Sequence, residues 1–230
     1  MVCLRSNNEF YFMYLVVSAV ASIKFKVSKL HHDGESRTAT YAGEAKLDGL
    51  DGVFALWITA RHYGMLKDTE VIIQIGKMTT SGTCVFDDPK SDVSIVASED
   101  LGFLSSSVGC IRFTSDFAQG SLVGVLGFPV NSDNNLGTPT LTTGYVACTT
   151  AGLRSGLPAE AVEWRSHRFF MVDKNIDFGV FGGPVFDAYG GVLGMLCASC
   201  TYYTHASWVL KSSYMSDALD AVVESWVTLV

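Results

Sequence analysis

Ile23-Lys24-Phe25-Lys26-Val27 alternates apolar and charged side chains, the period of a strand with one face on a core and one in water. It sits in a first strand read from Ser18 to Val27, followed by a turn at His31-His32-Asp33-Gly34. Similar short β-rich runs recur along the whole chain, separated by turn residues. The pattern predicts strands at Arg37 to Leu47, Val53 to Thr59, Val71 to Ile75, Thr83 to Phe86 and Val93 to Val96, with Asp87-Asp88-Pro89 as a break. Asp116 to Gly120 is polar and Gly-bounded, and reads as a crossing between two halves. The second half then repeats the texture, with strands at Leu122 to Leu126, Thr140 to Thr149, Arg168 to Val172, Pro184 to Phe186, Val192 to Leu196 and Ala206 to Leu210. Asn131 to Gly137 reads as a turn-rich loop. Helical spacing occurs once, where Met215, Leu219, Val222, Val223 and Trp226 share one face between Ser213 and Trp226, with Ser212 or Ser213 as the cap.

Many short strands and one terminal helix predict an all-β fold, a sandwich or a barrel. We divide the chain into an N-terminal extension (1–17), a first β-rich half (18–115) and a second β-rich half with the terminal helix (116–230). A chain of 230 residues is long enough to bury a full core, and 48% of its residues are hydrophobic. The net charge of −7, with no Lys or Arg run, gives no electrostatic footprint for nucleic acid.

The six cysteines (Cys3, Cys84, Cys110, Cys148, Cys197 and Cys200) lack the spacing of a small disulfide scaffold. They read as free thiols, favouring an intracellular, reducing compartment. Cys197-Ala198-Ser199-Cys200 lacks a second Cys pair or a His pair, so it reads as strand alternation rather than a metal site. His31-His32 reads as a solvated turn, and no metal or cofactor is expected. Phe10 to Ala21 is apolar but too short to span a bilayer. It has the look of a signal-peptide core at residues 1–21, with Ala19-Val20-Ala21 as a cleavage-like triplet. Against that reading, Glu9 is acidic where such a segment prefers positive charge, and cleavage would trim the first strand.

Three segments carry chemistry, in this order: Trp57-Ile58-Thr59-Ala60-Arg61-His62, Lys90-Ser91-Asp92-Val93-Ser94-Ile95-Val96, and Gly179-Val180-Phe181-Gly182-Gly183-Pro184-Val185. They resemble the Thr-Ala-x-His, Asp-(apolar) and Gly-x-Ser-Gly-Gly-Pro-Val motifs of the trypsin-like serine proteases. Leu126-Gly127-Phe128-Pro129, Asp187 to Gly194 and Trp208 to Ser213 are similar to segments of the HtrA (Deg) branch. The resemblance covers roughly residues 18 to 226 and implies two perpendicular Greek-key barrels with a cleft between them. HtrA members usually carry a PDZ domain as well, for which 230 residues leave no room.

By the same resemblance, His62 is the general base, Asp92 its orienter and residue 181 the nucleophile position. The backbone N–H groups of Gly179 and Phe181 would form an oxyanion hole, which does not depend on the side chain at 181. Asn175 would lie near the base of a specificity pocket, Ser207 on its wall, and Cys197, Ala198 and Ser199 along a peptide groove. The departure from the family is Phe181, because a phenyl ring has no proton to lose and no lone pair for attack. Its bulk should also fill the space beside His62, and covering it with apolar neighbours would contribute ~1.5–3 kcal/mol.

These expectations describe a catalytically inactive protease homologue that binds protein or peptide, or serves as a scaffold. Two alternatives stand beside it. One is an active serine-type endopeptidase with a nucleophile elsewhere, for which Ser155 and Ser166 lack a Gly-Gly-Pro context. The other is a structural subunit of a larger complex.

Overall fold

In the computed structural model, residues 20–25, 35–46, 53–61, 65–75, 78–99, 111–129, 139–149, 167–176, 179–200 and 205–227 are described. The first half supplies β1 (Val20–Phe25), β2 (Glu35–Lys46), β3 (Val53–Ala60), β4 (Glu70–Ile75), β5 (Met78–Asp88) and β6 (Val93–Glu99). The second supplies β7 (Leu122–Gly127), β8 (Thr140–Cys148), β9 (Phe169–Val172), β10 (Pro184–Phe186), β11 (Val192–Cys200) and β12 (Ala206–Lys211), then α1 (Ser212–Val227).

Each set of six closes into an antiparallel barrel. The first runs β1-β2-β3-β6-β5-β4 and the second β7-β8-β9-β12-β11-β10. The two halves therefore share one connectivity: three strands in sequence, then a return that places the sixth beside the third. Closure gives each strand two neighbours, but the pairing of β10 with β11 ends at Met195, and β11 runs on to Cys200 against β12. The all-β fold expected from the strand texture, and the two barrels implied by the family resemblance, are the ones observed.

The apolar run of β3 is explained by its position. Ala55 and Trp57 face the interior of the first barrel with Tyr41, Met65, Ile73, Cys84 and Val96. Leu56, Ile58 and Ala60 belong instead to a larger cluster that contains the second barrel's core. Both faces of β3 are thus buried, and polar alternation would leave unpaired groups on one of them. β6 divides the same way, with Val96 inside the barrel and Val93, Ile95 and Ala97 in the shared cluster. Inside the barrel the Trp57 indole N–H donates to Ser98 Oγ at 3.0 Å, and its ring meets Tyr41 edge-on at 5.4 Å.

Several elements differ from the pattern reading. β5 runs through Asp87 and Asp88, where a break was expected, because both residues pair with β6 and the turn starts only at Pro89. β11 extends to Cys200 because β12 offers it a partner to the end. The helix begins at Ser212, and neither serine caps it. Both lie within the helix, and the Ser212 hydroxyl donates to the Thr114 carbonyl at 2.7 Å. Val223 is 45% exposed rather than on the apolar face, where Ala218 takes its place beside Met215 and Val222. The polar crossing is anchored by Phe117, whose ring packs on Phe170 at 4.5 Å between centroids. Just before it, Phe113 bridges to Val192 in parallel fashion. β1 starts at Val20, so cleavage after Ala21 would remove its first two residues. The His31-His32 turn and the loop at 131–137 lie outside the described residues. Cys84, Cys148 and Cys197 are free thiols. No helix of the described residues is long and apolar enough to cross a membrane.

Candidate functional site

The strand β3 ends beside the start of β6, where Ala60 pairs with Val93 and Thr59 with Ser94. One residue further on, the Arg61 N–H donates to the Asp92 carbonyl at 3.0 Å. The Arg61 side chain reinforces this junction, its Nε lying 2.7 Å from Asp87 Oδ2. The other oxygen of that carboxylate accepts the Lys67 N–H at 3.0 Å. Asp92 closes the turn with a φ of 56°. That left-handed backbone is one Asp tolerates better than most residues. Topology therefore brings the chain on either side of the β3 end and Asp92 to one place. His62 itself lies outside the described residues, as do 177 and 178.

The turn at 179–183 is held against the same end of the first barrel, and Thr38 holds it. The Thr38 hydroxyl donates to the Gly179 carbonyl at 2.8 Å and accepts the Phe128 N–H at 2.9 Å. Its backbone N–H donates to the Phe181 carbonyl at 3.2 Å, and its carbonyl accepts the Thr59 hydroxyl at 2.7 Å. Every polar group of one fully buried residue is thus used, tying together β2, β3, the end of β7 and the turn. A longer contact, 3.4 Å from Thr40 Oγ1 to the Gly182 carbonyl, runs alongside.

Within the turn, Gly179 and Gly182 take φ values of 92° and 89°. At Gly182 the need is steric as well, since a Cβ would run into the Thr38 carbonyl and Thr59 Oγ1. The turn is fastened to β11 through Gly182 N–H to the Leu196 carbonyl at 2.8 Å and Leu196 N–H to the Gly183 carbonyl at 2.9 Å. Phe181 is only 8% exposed and belongs to the apolar cluster that joins the barrels, together with Ala60, Val93 and Val180. Its side chain is part of the inter-barrel packing.

The expected groove residues separate. Ser199 and Ser207 face each other across β11 and β12, with their hydroxyl oxygens 3.3 Å apart. Ser199 donates to the Ile176 carbonyl at 2.8 Å and Ser207 to the Lys174 carbonyl at 2.6 Å. The two serines strap the segment containing exposed Asn175 onto the strand pair. Ala198 is exposed. Cys197, expected on the groove wall, is instead buried in the core at 2% exposure. β11 is buried on both faces from Val192 to Cys197, and its register against β12 shifts between Leu196 and Ala198. Its thiol contacts the Met195 carbonyl at 3.5 Å.

Thr59 stood in a recognised motif, and its role is now visible. Thr38, Arg61, Asp87, Ser91 and Arg168 did not stand out in the sequence. A Thr at alternate positions of a strand looks like any β-former. A charged residue after a strand looks like any solvated end. Among the described residues no group of His, Cys, Asp and Glu is arranged to hold a metal ion.

A family model described as a trypsin-like peptidase domain matches residues 38–195. The fold also matches solved structures. One is a serine endoprotease from Yersinia pestis, with 14% identity, a TM-score of 0.66, and coverage of 94% of this chain and 66% of that one. The chain thus spans about two thirds of the length of that relative. Another is the active form of the Rv3671c protease from M. tuberculosis, with 20% identity, a TM-score of 0.67, and coverage of 92% and 83%. The inactive form of the Rv3671c protease matches with 20% identity, a TM-score of 0.67 and 92% coverage of both chains. Comparison with curated protein sequences gave no match.

Proposed function

Since this chain belongs to the trypsin-like peptidase domain family, we propose that it is a catalytically inactive member, of the HtrA-like branch, that works by binding protein or peptide. The observation that carries the reading is Phe181. The turn around it keeps two glycines with left-handed backbone and the fastening to β11. The residue between them offers an apolar ring where an attacking hydroxyl would be needed. Loss of a serine nucleophile in this class costs about 10⁶-fold in turnover. Burial of the ring in the inter-barrel cluster adds a reason for it to stay, because packing now depends on it.

In this reading His62 and Asp92 are a vestigial base and orienter. The N–H groups of Gly179 and Phe181 form a nest for a carbonyl or carboxylate oxygen. Extended peptide would add as a strand along Ala198 and Ser199, where main-chain hydrogen bonds supply affinity and side-chain pockets supply selectivity. Asn175 and the Ser199–Ser207 strap would border that groove. The Ser199 and Ser207 hydroxyls are already committed to backbone carbonyls, so neither is poised as a replacement nucleophile.

The test combines turnover and binding. Incubated with several unstructured proteins and with a fluorophosphonate probe, the purified chain should cleave none and take up no label. Titrated with extended peptides, it should show chemical-shift changes concentrated at residues 197–199. Cleavage that disappears in His62→Ala would overturn the reading in favour of an active peptidase. Peptide-free behaviour combined with isolation from its native source only in a large complex would favour a structural subunit.

A further inference from the structure

The turn that carries Asp92 is gripped from the second barrel. Arg168 stands just before β9, and its Nη1 donates to Ser91 Oγ at 2.5 Å. The same nitrogen lies 3.9 Å from Asp88 Oδ2. The Arg168 guanidinium carbon sits 5.0 Å from the centre of the Tyr214 ring on α1, and its carbonyl accepts the Lys211 N–H at 2.9 Å. Ser91 is 3% exposed. α1 packs on β11 and β12 and also touches β5 and β6, so it lies against the elements that flank this turn.

From this geometry we infer that Arg168 is a positioning residue for Asp92, a clamp by which the second barrel and α1 set the β5–β6 turn of the first. The inference rests on the reading of Asp92 as the orienter of His62. Three features support it. The cation bonds to the residue immediately before Asp92. The turn it grips contains a left-handed Asp backbone at Asp92, so the direction in which the Asp92 side chain leaves the chain depends on how that turn is held. The grip is also braced twice, because the Asp88 carboxylate near Arg168 accepts the Lys90 N–H at 2.8 Å through its other oxygen. The planar guanidinium suits this work, since it can hydrogen-bond in its plane while an aromatic ring covers its face. The charged or titratable side chains along the turn and the start of β9 are Asp87, Asp88, Lys90, Asp92, His167 and Arg168, with Arg61 paired to Asp87, Lys211 beside Arg168, and Tyr214, Asp217, Asp220 and Glu224 on α1.

The experiment follows the His62 imidazole by NMR titration in the full chain and in Asp92→Asn, Ser91→Ala, Arg168→Met and Arg168→Lys. A neighbouring carboxylate favours the imidazolium, so Asp92→Asn moves the titration to lower pH. Deleting a nearby cation acts in the opposite sense through charge alone. A shift to lower pH in Ser91→Ala and Arg168→Met, with Arg168→Lys between them and the parent, therefore reports lost positioning rather than lost charge. Ser91→Ala and Arg168→Met titrating like the parent while Asp92→Asn shifts would overturn the clamp.

If Asp92→Asn itself leaves His62 unmoved, the pairing of His62 with Asp92 fails. The clamp is then decided by hydrogen exchange at the Lys90 and Arg61 amides, which bond to Asp88 and Asp92. Exchange several-fold faster in Ser91→Ala and Arg168→Met supports it, and unchanged exchange overturns it. Ser91→Ala removes one oxygen and carries the test alone should Arg168→Met not fold.

Discussion

The hydroxyl of Thr38 donates to the carbonyl of Gly179 across 141 positions of sequence, at 2.8 Å and fully buried. The turn that shapes the candidate site is thus held by the opposite barrel as well as by β11 of its own. Thr38→Val keeps the shape and removes the hydroxyl. It leaves the Gly179 carbonyl and the Phe128 N–H without their partner. Leaving two buried groups unpaired costs about 2–4 kcal/mol. Urea unfolding should show that loss as a lower midpoint with an unchanged slope.

Gly182→Ala and Gly120→Ala form a matched pair. Both positions have positive φ, 89° and 85°, but a Cβ at Gly120 meets nothing within 4 Å. Gly120→Ala should cost only the backbone penalty of about 1–2 kcal/mol. At Gly182 the Cβ would meet the Thr38 carbonyl and Thr59 Oγ1, which are already bonded to each other. That substitution should cost at least about 3 kcal/mol more than the control. Equal midpoints for the two variants would show that the turn is not sterically confined.

Phe181→Ser separates packing from chemistry. Removing a buried ring from the inter-barrel cluster should destabilise the fold by about 3–5 kcal/mol. At temperatures where the variant stays folded, the new hydroxyl should gain labelling by a fluorophosphonate probe that the parent lacks. His62→Ala in the same background should remove that labelling. Absence of labelling in a folded Phe181→Ser chain would mean that the base–orienter geometry has been lost along with the serine.

Cys84 gives a pH signature independent of the site. Burial, the largest influence, pushes its thiol up from 9.0 to about 11, against smaller lowering by its hydrogen bonds with Phe86 and Ser94. A raised thiol keeps the folded state neutral while the unfolded chain ionises. Stability is therefore intact below pH 9 and falls as pH rises from about 9 to about 11, by up to about 2–3 kcal/mol in total. Cys84→Ala should flatten that part of the stability–pH curve, and the native Cys84 thiol should resist a disulfide reagent at neutral pH until the chain unfolds.

Local pattern carried much of this protein. Short β-rich runs placed the strands within a few residues, by alternation where one face meets water and as continuous apolar runs where both faces are buried, as in β3 and β6. The three ordered motifs pointed to the family. Phe181 was visible as the departure from it because a single side-chain type decides whether a nucleophile exists. Where pattern failed, tertiary contacts had overridden it: β5 continues through two aspartates because β6 is there to bond them, and Cys197 is buried because β11 is covered on both faces from Val192 to Cys197. The capping serine was misread because its hydroxyl found a carbonyl 98 residues away.

Strand number, all-β texture, motif order and the missing nucleophile follow from the chain read alone, since each depends on residue type and short-range period. The Thr38 node, the Arg61–Asp87 brace and the Arg168 grip on Ser91 follow only from the tertiary structure. Each is a polar contact between residues far apart in sequence, and no local period encodes which buried donor will meet which acceptor. Whether the Phe181 ring would stand in a cleft or in a core was of the same kind. Two barrels had to come together before it could be buried, and their shared apolar face is what buries it.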